Sequence, residues 1–190
     1  MFRSEGFLKY FKNFSWLFAD RVLRLGLVLV TTIFVSRYLG AERLGQMNYA
    51  LATVSIAAVL CAMGANEVIS RDLARHPERR DELLGSGFAI NLTGGVILNL
   101  LMLFYVLVKD LDTLMVLLIM ITAAGELFKW STLMEYFFMS QVQGRVAAKV
   151  NIGGTVVSAA YKLALVYFQA PMLWFAWAYM LEYVVYALGY

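Results

Sequence analysis

Leu98-Asn99-Leu100-Leu101-Met102-Leu103-Phe104-Tyr105-Val106-Leu107-Val108 and, shortly after it, Leu114-Met115-Val116-Leu117-Leu118-Ile119-Met120-Ile121 decide the fold of this chain. Apart from Asn99, both runs are apolar on every side. A strand of a membrane barrel would alternate apolar and polar residues, so the runs read as helix. A helix also satisfies its own backbone hydrogen bonds, which hydrocarbon demands of anything that crosses it. Stretches of about 20 mainly apolar residues are long enough to cross roughly 30 Å of hydrocarbon. The chain offers six, at about 16–38, 46–68, 83–108, 113–139, 150–170 and 172–190. The sequence therefore predicts an all-α, polytopic transmembrane bundle of about six helices, organised as a single transmembrane domain over residues 1–190.

Composition agrees. Of 190 residues, 62% are hydrophobic and only 15% charged, and mean hydropathy is +0.70. Soluble domains carry about 25% charged residues, so this chain has too few to cover a water-facing surface. The net charge of +3 does not indicate nucleic acid, because the cations lie between apolar blocks rather than on one solvated face. Cys61 is the single cysteine and His76 the single histidine, which excludes an internal disulfide and a His/Cys zinc site. No phosphate loop, HExxH pair, GxSxG elbow or acidic metal motif is present, so the sequence offers no catalytic residues, cofactor or metal. Asn91-Leu92-Thr93 matches a glycosylation sequon but falls inside a span, where it would be inaccessible.

Cations in short loops set orientation. Arg3, Lys9 and Lys12, then Arg71, Arg75, Arg79 and Arg80, then Arg145 and Lys149 give nine on one side, against Arg37, Arg43 and Lys109 on the other. The N-terminus is expected in the cytoplasm. Leu25–Val35 resembles the apolar core of a signal peptide, but Ser36-Arg37-Tyr38-Leu39 is a poor cleavage site and Asp20, Arg21 and Arg24 intrude before it. Phe7, Phe11 and Phe14 at helical spacing suggest an interfacial helix leading into the first span, and Trp174, Trp177 and Tyr179 an outer aromatic belt. The last span stops at Leu188-Gly189-Tyr190 without a basic cap, which suggests a chain cut near the end of a six-helix half, a complete six-helix protein being the alternative.

Ionisable groups inside spans cost roughly 2.5–3.5 kcal/mol each at the membrane centre unless paired or hydrated. Asp20, Arg21 and Arg24 occupy the first span, with Asp20 and Arg24 on one face; all three are near enough to its end to reach the headgroups. Glu126, Lys129 and Glu135 lie in the fourth span, with Glu126 and Lys129 one turn apart, and Lys162 and Glu182 extend the pattern to the last two spans. Such residues either neutralise one another or line a water-filled cavity where a carboxylate exchanges a proton or sodium and a cation meets an anion. Gly85, Gly87, Gly94 and Gly95, with Gly153, Gly154, Ser158 and Ala159, allow close helix packing. The mixed-charge connector Arg71–Glu82 reads as a solvated loop.

Ser36-Arg37-Tyr38-Leu39-Gly40-Ala41-Glu42-Arg43-Leu44-Gly45-Gln46-Met47-Asn48-Tyr49-Ala50 resembles the "aRYLGpexfGxxxyA" turn between the first two helices of Wzx-like O-antigen and polysaccharide flippases. Met63-Gly64-Ala65-Asn66-Glu67-Val68-Ile69-Ser70-Arg71-Asp72-Leu73-Ala74-Arg75 is similar to their "lGlxxxixRelAr" ending of the second helix. These belong to the multidrug/oligosaccharidyl-lipid/polysaccharide superfamily. The resemblance implies that the chain is the N-terminal lobe of a two-lobe transporter in the bacterial cytoplasmic (inner) membrane. It also implies that an undecaprenyl-pyrophosphate-linked oligosaccharide moves through a central cavity by alternating access. Asp20-Arg21-Val22-Leu23 resembles the first-helix segment whose basic residues meet the pyrophosphate in related lipid II flippases, which singles out Arg21. Arg24 and Lys129 are further candidates for the pyrophosphate or glycan, and Asp20, Glu126 and Glu135 for ion coupling. Implied partners are the lipid-linked oligosaccharide, membrane lipids, and polysaccharide polymerase and glycosyltransferases of lipopolysaccharide assembly; nucleic acid is not one. Two other readings stand beside this one, a cation-coupled drug antiporter of the same superfamily and a non-transporting scaffold for polysaccharide assembly.

Overall fold

A computed structural model describes the backbone of residues 2–62, 64–141 and 143–190, and side chains from residue 15 onward apart from residues 17, 63, 65, 74, 77 and 142. The described residues form helices and short connectors. The α-helices are α1 (Phe2–Ala62), α2 (Ala65–Arg75), α3 (Arg80–Val108), α4 (Thr113–Gly125), α5 (Ser131–Ser140), α6 (Gly144–Tyr167) and α7 (Met172–Gly189). One turn of 3-10 helix, Glu126–Phe128, joins α4 to α5. Five stretches are long and apolar enough to cross a membrane: Phe18–Ala62, Arg80–Val108, Thr113–Ser140, Gly144–Tyr167 and Met172–Gly189. This is a multi-pass helical membrane protein.

The first stretch, at 45 residues, would be about 68 Å long if straight, enough for two crossings. It is not straight, because Gly40 adopts φ 74° and ψ 173°. Only glycine takes that conformation without strain. Val28, Thr31, Thr32 and Val35 before the break and Leu44, Met47 and Asn48 after it line one cavity, so the two arms run back along each other. Tyr38 caps the bend by donating to the Ala170 carbonyl at 3.0 Å and stacking on Phe175. The Gly40 bend and the α6–α7 connector therefore share one end of the bundle.

The opposite end differs from the sequence expectation. The expected span 46–68 divides at Gly64, which has φ 70°, and α2 forms a separate amphipathic helix. Its buried Ile69 and Leu73 pack with Leu133 from α5, flanked by Leu83, Leu84 and Phe137. The charged connector is thus mostly helical, with Arg79 and Glu82 paired at 2.7 Å on its exposed side. The proposed interfacial segment 7–14 is the beginning of α1, and its side chains lie outside the described residues.

A larger core holds the remaining helices together. Val35, Leu39, Met47, Ala50 and Val54 from α1 meet Leu98 and Met102 of α3, Leu118, Ile119 and Ala123 of α4, and Phe175 of α7. Small residues set the spacing: a Cβ on Gly94 would stand 3.3 Å from the Cys61 carbonyl oxygen, so α3 and the second arm of α1 touch backbone to backbone there. Asn99 donates to the Ala123 carbonyl at 3.0 Å, a polar tie between α3 and α4. Phe18, Leu25, Leu29, Val59, Leu60, Phe104 and Leu107 are among the exposed large apolar side chains, as lipid contact requires.

Candidate functional site

The helical period of α7 decides what fills the interior. Tyr179, Glu182, Tyr183, Tyr186 and Tyr190 recur at three- and four-residue intervals and so share one face. Opposite them lie Arg24 of α1 and Lys129, Ser131, Thr132 and Glu135 around the start of α5. Together these ten residues enclose a cavity of about 270 Å³. Four tyrosines, two carboxylates and two cations in one interior space give it both hydrogen-bond donors and mobile charge.

Each charged group arrives by a local device. Asp20 and Arg24 are one turn apart on α1, and the Arg24 Nη2 donates to Asp20 Oδ2 at 3.1 Å. Asp20 is only 5% exposed. Its Oδ1 and the Arg24 Nε are buried without a hydrogen-bond partner, so the pair retains unused capacity on both sides. The Glu126–Lys129 pair depends on the 3-10 turn. Side chains three residues apart eclipse in that geometry, and Lys129 Nζ reaches Glu126 Oε2 at 2.9 Å. The tightening continues through Thr132 N to Lys129 O and Leu133 N to Trp130 O, both 3.0 Å, and the Thr132 hydroxyl also donates to the Lys129 carbonyl. Gly125, just before the turn, packs against Met180 and Tyr183 of α7, where a Cβ would still make ordinary contact at 3.5 Å.

The carboxylates of α5 and α7 are held differently. Asn151, 2% exposed on α6, donates to Glu135 Oε1 at 2.9 Å, and its own Oδ1 accepts from the Tyr190 hydroxyl at 3.1 Å. Tyr186 donates to Glu182 Oε1 at 2.7 Å and lies 3.3 Å from the Thr155 hydroxyl. Among the described residues, no cation stands within ion-pair distance of either carboxylate.

Two further spaces adjoin the tyrosine cavity. Tyr179 and Glu182 also line a second cavity, of about 260 Å³, toward the Gly40 end; its polar lining includes Thr31, Thr32, Asn48, Thr155, Ser158 and Lys162. Glu126 and Lys129 line a cleft of about 40 Å³ with Asn66 and Asn91, whose amide groups are joined at 2.8 Å.

The sequence candidates distribute unevenly. Arg24, Lys129 and Glu135 line the tyrosine cavity. Asp20 reaches it through Arg24, and Glu126 sits behind Lys129 in the adjoining cleft. Arg21 does not line this cavity; it is exposed beside Val22 and Leu23. One residue along a helix is a rotation of about 100°, which separates Arg21 from the face that carries Asp20 and Arg24. The expected aromatic belt also divides. Trp174 and Trp177 are exposed, whereas Tyr179 turns inward to both cavities. Sequence reasoning missed the tyrosine face and Asn151. The 179, 183, 186, 190 spacing was the available signal.

Close packing against Tyr186 gives a test of this arrangement. A Cβ on Gly154 would fall 2.2 Å from Tyr186 Cε1, whereas one on Gly153 meets nothing within 4 Å. Gly154→Ala is expected to be less stable than Gly153→Ala by about 1–3 kcal/mol in detergent unfolding, because the ring must leave Glu182 to make room.

A family model for polysaccharide biosynthesis proteins matches residues 10–190. The chain belongs to that family. Comparison with curated proteins and with solved structures finds no match.

Proposed function

We propose that this member of the polysaccharide biosynthesis family forms one lobe of a transporter. Its cargo would be an oligosaccharide linked to undecaprenyl pyrophosphate, the repeat unit of O-antigen or another polysaccharide, carried across the bacterial cytoplasmic membrane by alternating access. The observation that carries this reading is the tyrosine cavity, where Arg24 and Lys129 are held by single carboxylates inside an apolar bundle. A pyrophosphate brings more negative charge than either partner and competes for both cations. Asp20 and Glu126, once released, then need a proton or a metal cation, which couples substrate to ion without a covalent step. The polyprenyl tail stays in lipid while tyrosine, serine and threonine hydroxyls meet the glycan. In this reading that end of the bundle faces the cytoplasm, which the cations of the N-terminal segment, the α2 region and the α5–α6 connector support. In this reading the protein does no bond chemistry and works beside polymerase and glycosyltransferases.

Deletion of the gene in its own cell, followed by complementation, tests the proposal. Surface polysaccharide should vanish and return with the gene, with dye efflux unchanged throughout. Efflux that follows the gene would instead favour the drug antiporter. A Glu126→Gln/Lys129→Gln double variant that exports normally would favour the scaffold, since neither charge would then meet a ligand.

A further inference from the structure

The second cavity contains a cation that the pyrophosphate reading does not use. Lys162 lines it from α6, and its Nζ sits 4.5 Å from the centre of the Tyr179 ring. Among the described residues no carboxylate lies within 4 Å of that nitrogen. Glu182 shares the cavity, but its Oε1 is engaged by Tyr186 at 2.7 Å. The other interior cations beside these cavities differ: Arg24 and Lys129 each hold a carboxylate at 3.1 and 2.9 Å. Lys162 is thus a half-buried ammonium that rests on a ring face and holds no ion pair among the described residues, so an anion entering this space gains a charge-assisted hydrogen bond without displacing a partner.

The rest of the lining narrows what the anion is attached to. Thr31, Thr32, Asn48, Thr155 and Ser158 offer hydroxyl and amide groups, and the Tyr179 ring with Val28 and Leu44 offers apolar surface. Hydroxyl-rich rings with one apolar face satisfy both kinds of surface; a bare phosphate satisfies neither the apolar surface nor the spread of hydrogen-bonding groups. The volume of about 260 Å³ is near the lower end of small-ligand sites, suited to one ring rather than a chain. We propose that this cavity is a subsite for a single acidic sugar, a pyranose whose carboxylate is bound by Lys162. The site deepens the transport reading by assigning a carboxylate-bearing sugar to the carried glycan, and rests on that reading only for the source of the sugar.

The test uses the whole chain in lipid nanodiscs, titrated with glucuronate, glucose or inorganic pyrophosphate and followed by intrinsic fluorescence. Glucuronate is expected to bind about tenfold more tightly than glucose, the worth of one charge-assisted contact. Lys162→Gln should remove that preference and Lys162→Arg keep it, both eluting and absorbing as the parent does. Glu182→Gln should tighten glucuronate, because a like charge leaves the cavity. Equal binding of the two sugars, a preference that survives Lys162→Gln, or pyrophosphate binding more tightly than glucuronate through Lys162 would each overturn the proposal. Binding needs no translocation, so glucuronate held through Lys162 by a chain that carries no lipid-linked glycan would refute the transport reading and leave this one standing.

Discussion

Lys129→Glu is expected to reduce surface polysaccharide to the level of a gene deletion, with Lys129→Arg retaining most of it. Lys129 stands between Glu126, at 2.9 Å, and the tyrosine cavity, which already contains Glu135 and Glu182. A third carboxylate in the cavity, with Glu126 beside it, removes a cation that the proposed substrate would need and sets like charges against one another in a region of low dielectric. Poor insertion alone would give the same phenotype, so the swapped pair Glu126→Lys/Lys129→Glu supplies the control. It restores an i,i+3 ion pair across the same 3-10 turn and should return the protein to parental membrane levels. Export should nonetheless remain low, because the cation would then face the small cleft with Asn66 and Asn91 rather than the cavity. Full export by the swapped pair would show that the pair is structural.

Asp20→Ala should cost about 3 kcal/mol of stability, the usual penalty when one partner of a buried ion pair is removed and the other stays. Asp20 is 5% exposed and Arg24 only partly so, and Arg24 Nε already lacks a partner. Without Asp20 the guanidinium loses its 3.1 Å acceptor, and Glu135 and Glu182 of the cavity it lines stand beyond ion-pair distance. Asp20→Ala/Arg24→Met should regain most of the loss, because no uncompensated charge remains. Detergent-unfolding midpoints of the two variants check this. A single variant as stable as its parent would mean that water, rather than Asp20, carries the Arg24 charge.

These expectations draw on features of unequal legibility. The runs at 98–108 and 114–121 made the helical bundle readable, because a surface apolar on all sides admits only a helix in lipid. The Ser36–Ala50 motif located the bend, and Gly40 is where the backbone takes φ 74°. Glu126 and Lys129 were readable as a pair from their spacing. Their approach through a 3-10 turn was not, because residue spacing alone does not separate that tightened turn from a continuing α-helix. Arg21 was singled out by likeness of sequence, yet which side of α1 faces the cavity depends on packing against other helices. The tyrosines of α7 read as belt and filler because aromatic residues suit both the membrane interface and an interior cavity. Only the three-dimensional assembly places Tyr179, Tyr183, Tyr186 and Tyr190 around Arg24 and Lys129. Gly64 and α2 were hidden for a related reason: the hydropathy of the second span fades gradually, whereas the backbone turns at one residue.

The central claim is that the tyrosine cavity binds the pyrophosphate of a polyprenyl carrier. Native mass spectrometry of the protein released from nanodiscs containing undecaprenyl pyrophosphate or undecaprenol measures this directly. The account predicts that the pyrophosphate lipid is retained and undecaprenol is not, with retention falling at least about tenfold in Arg24→Ala/Lys129→Ala. Equal retention of the two lipids, or a pyrophosphate complex untouched by the double substitution, would contradict it.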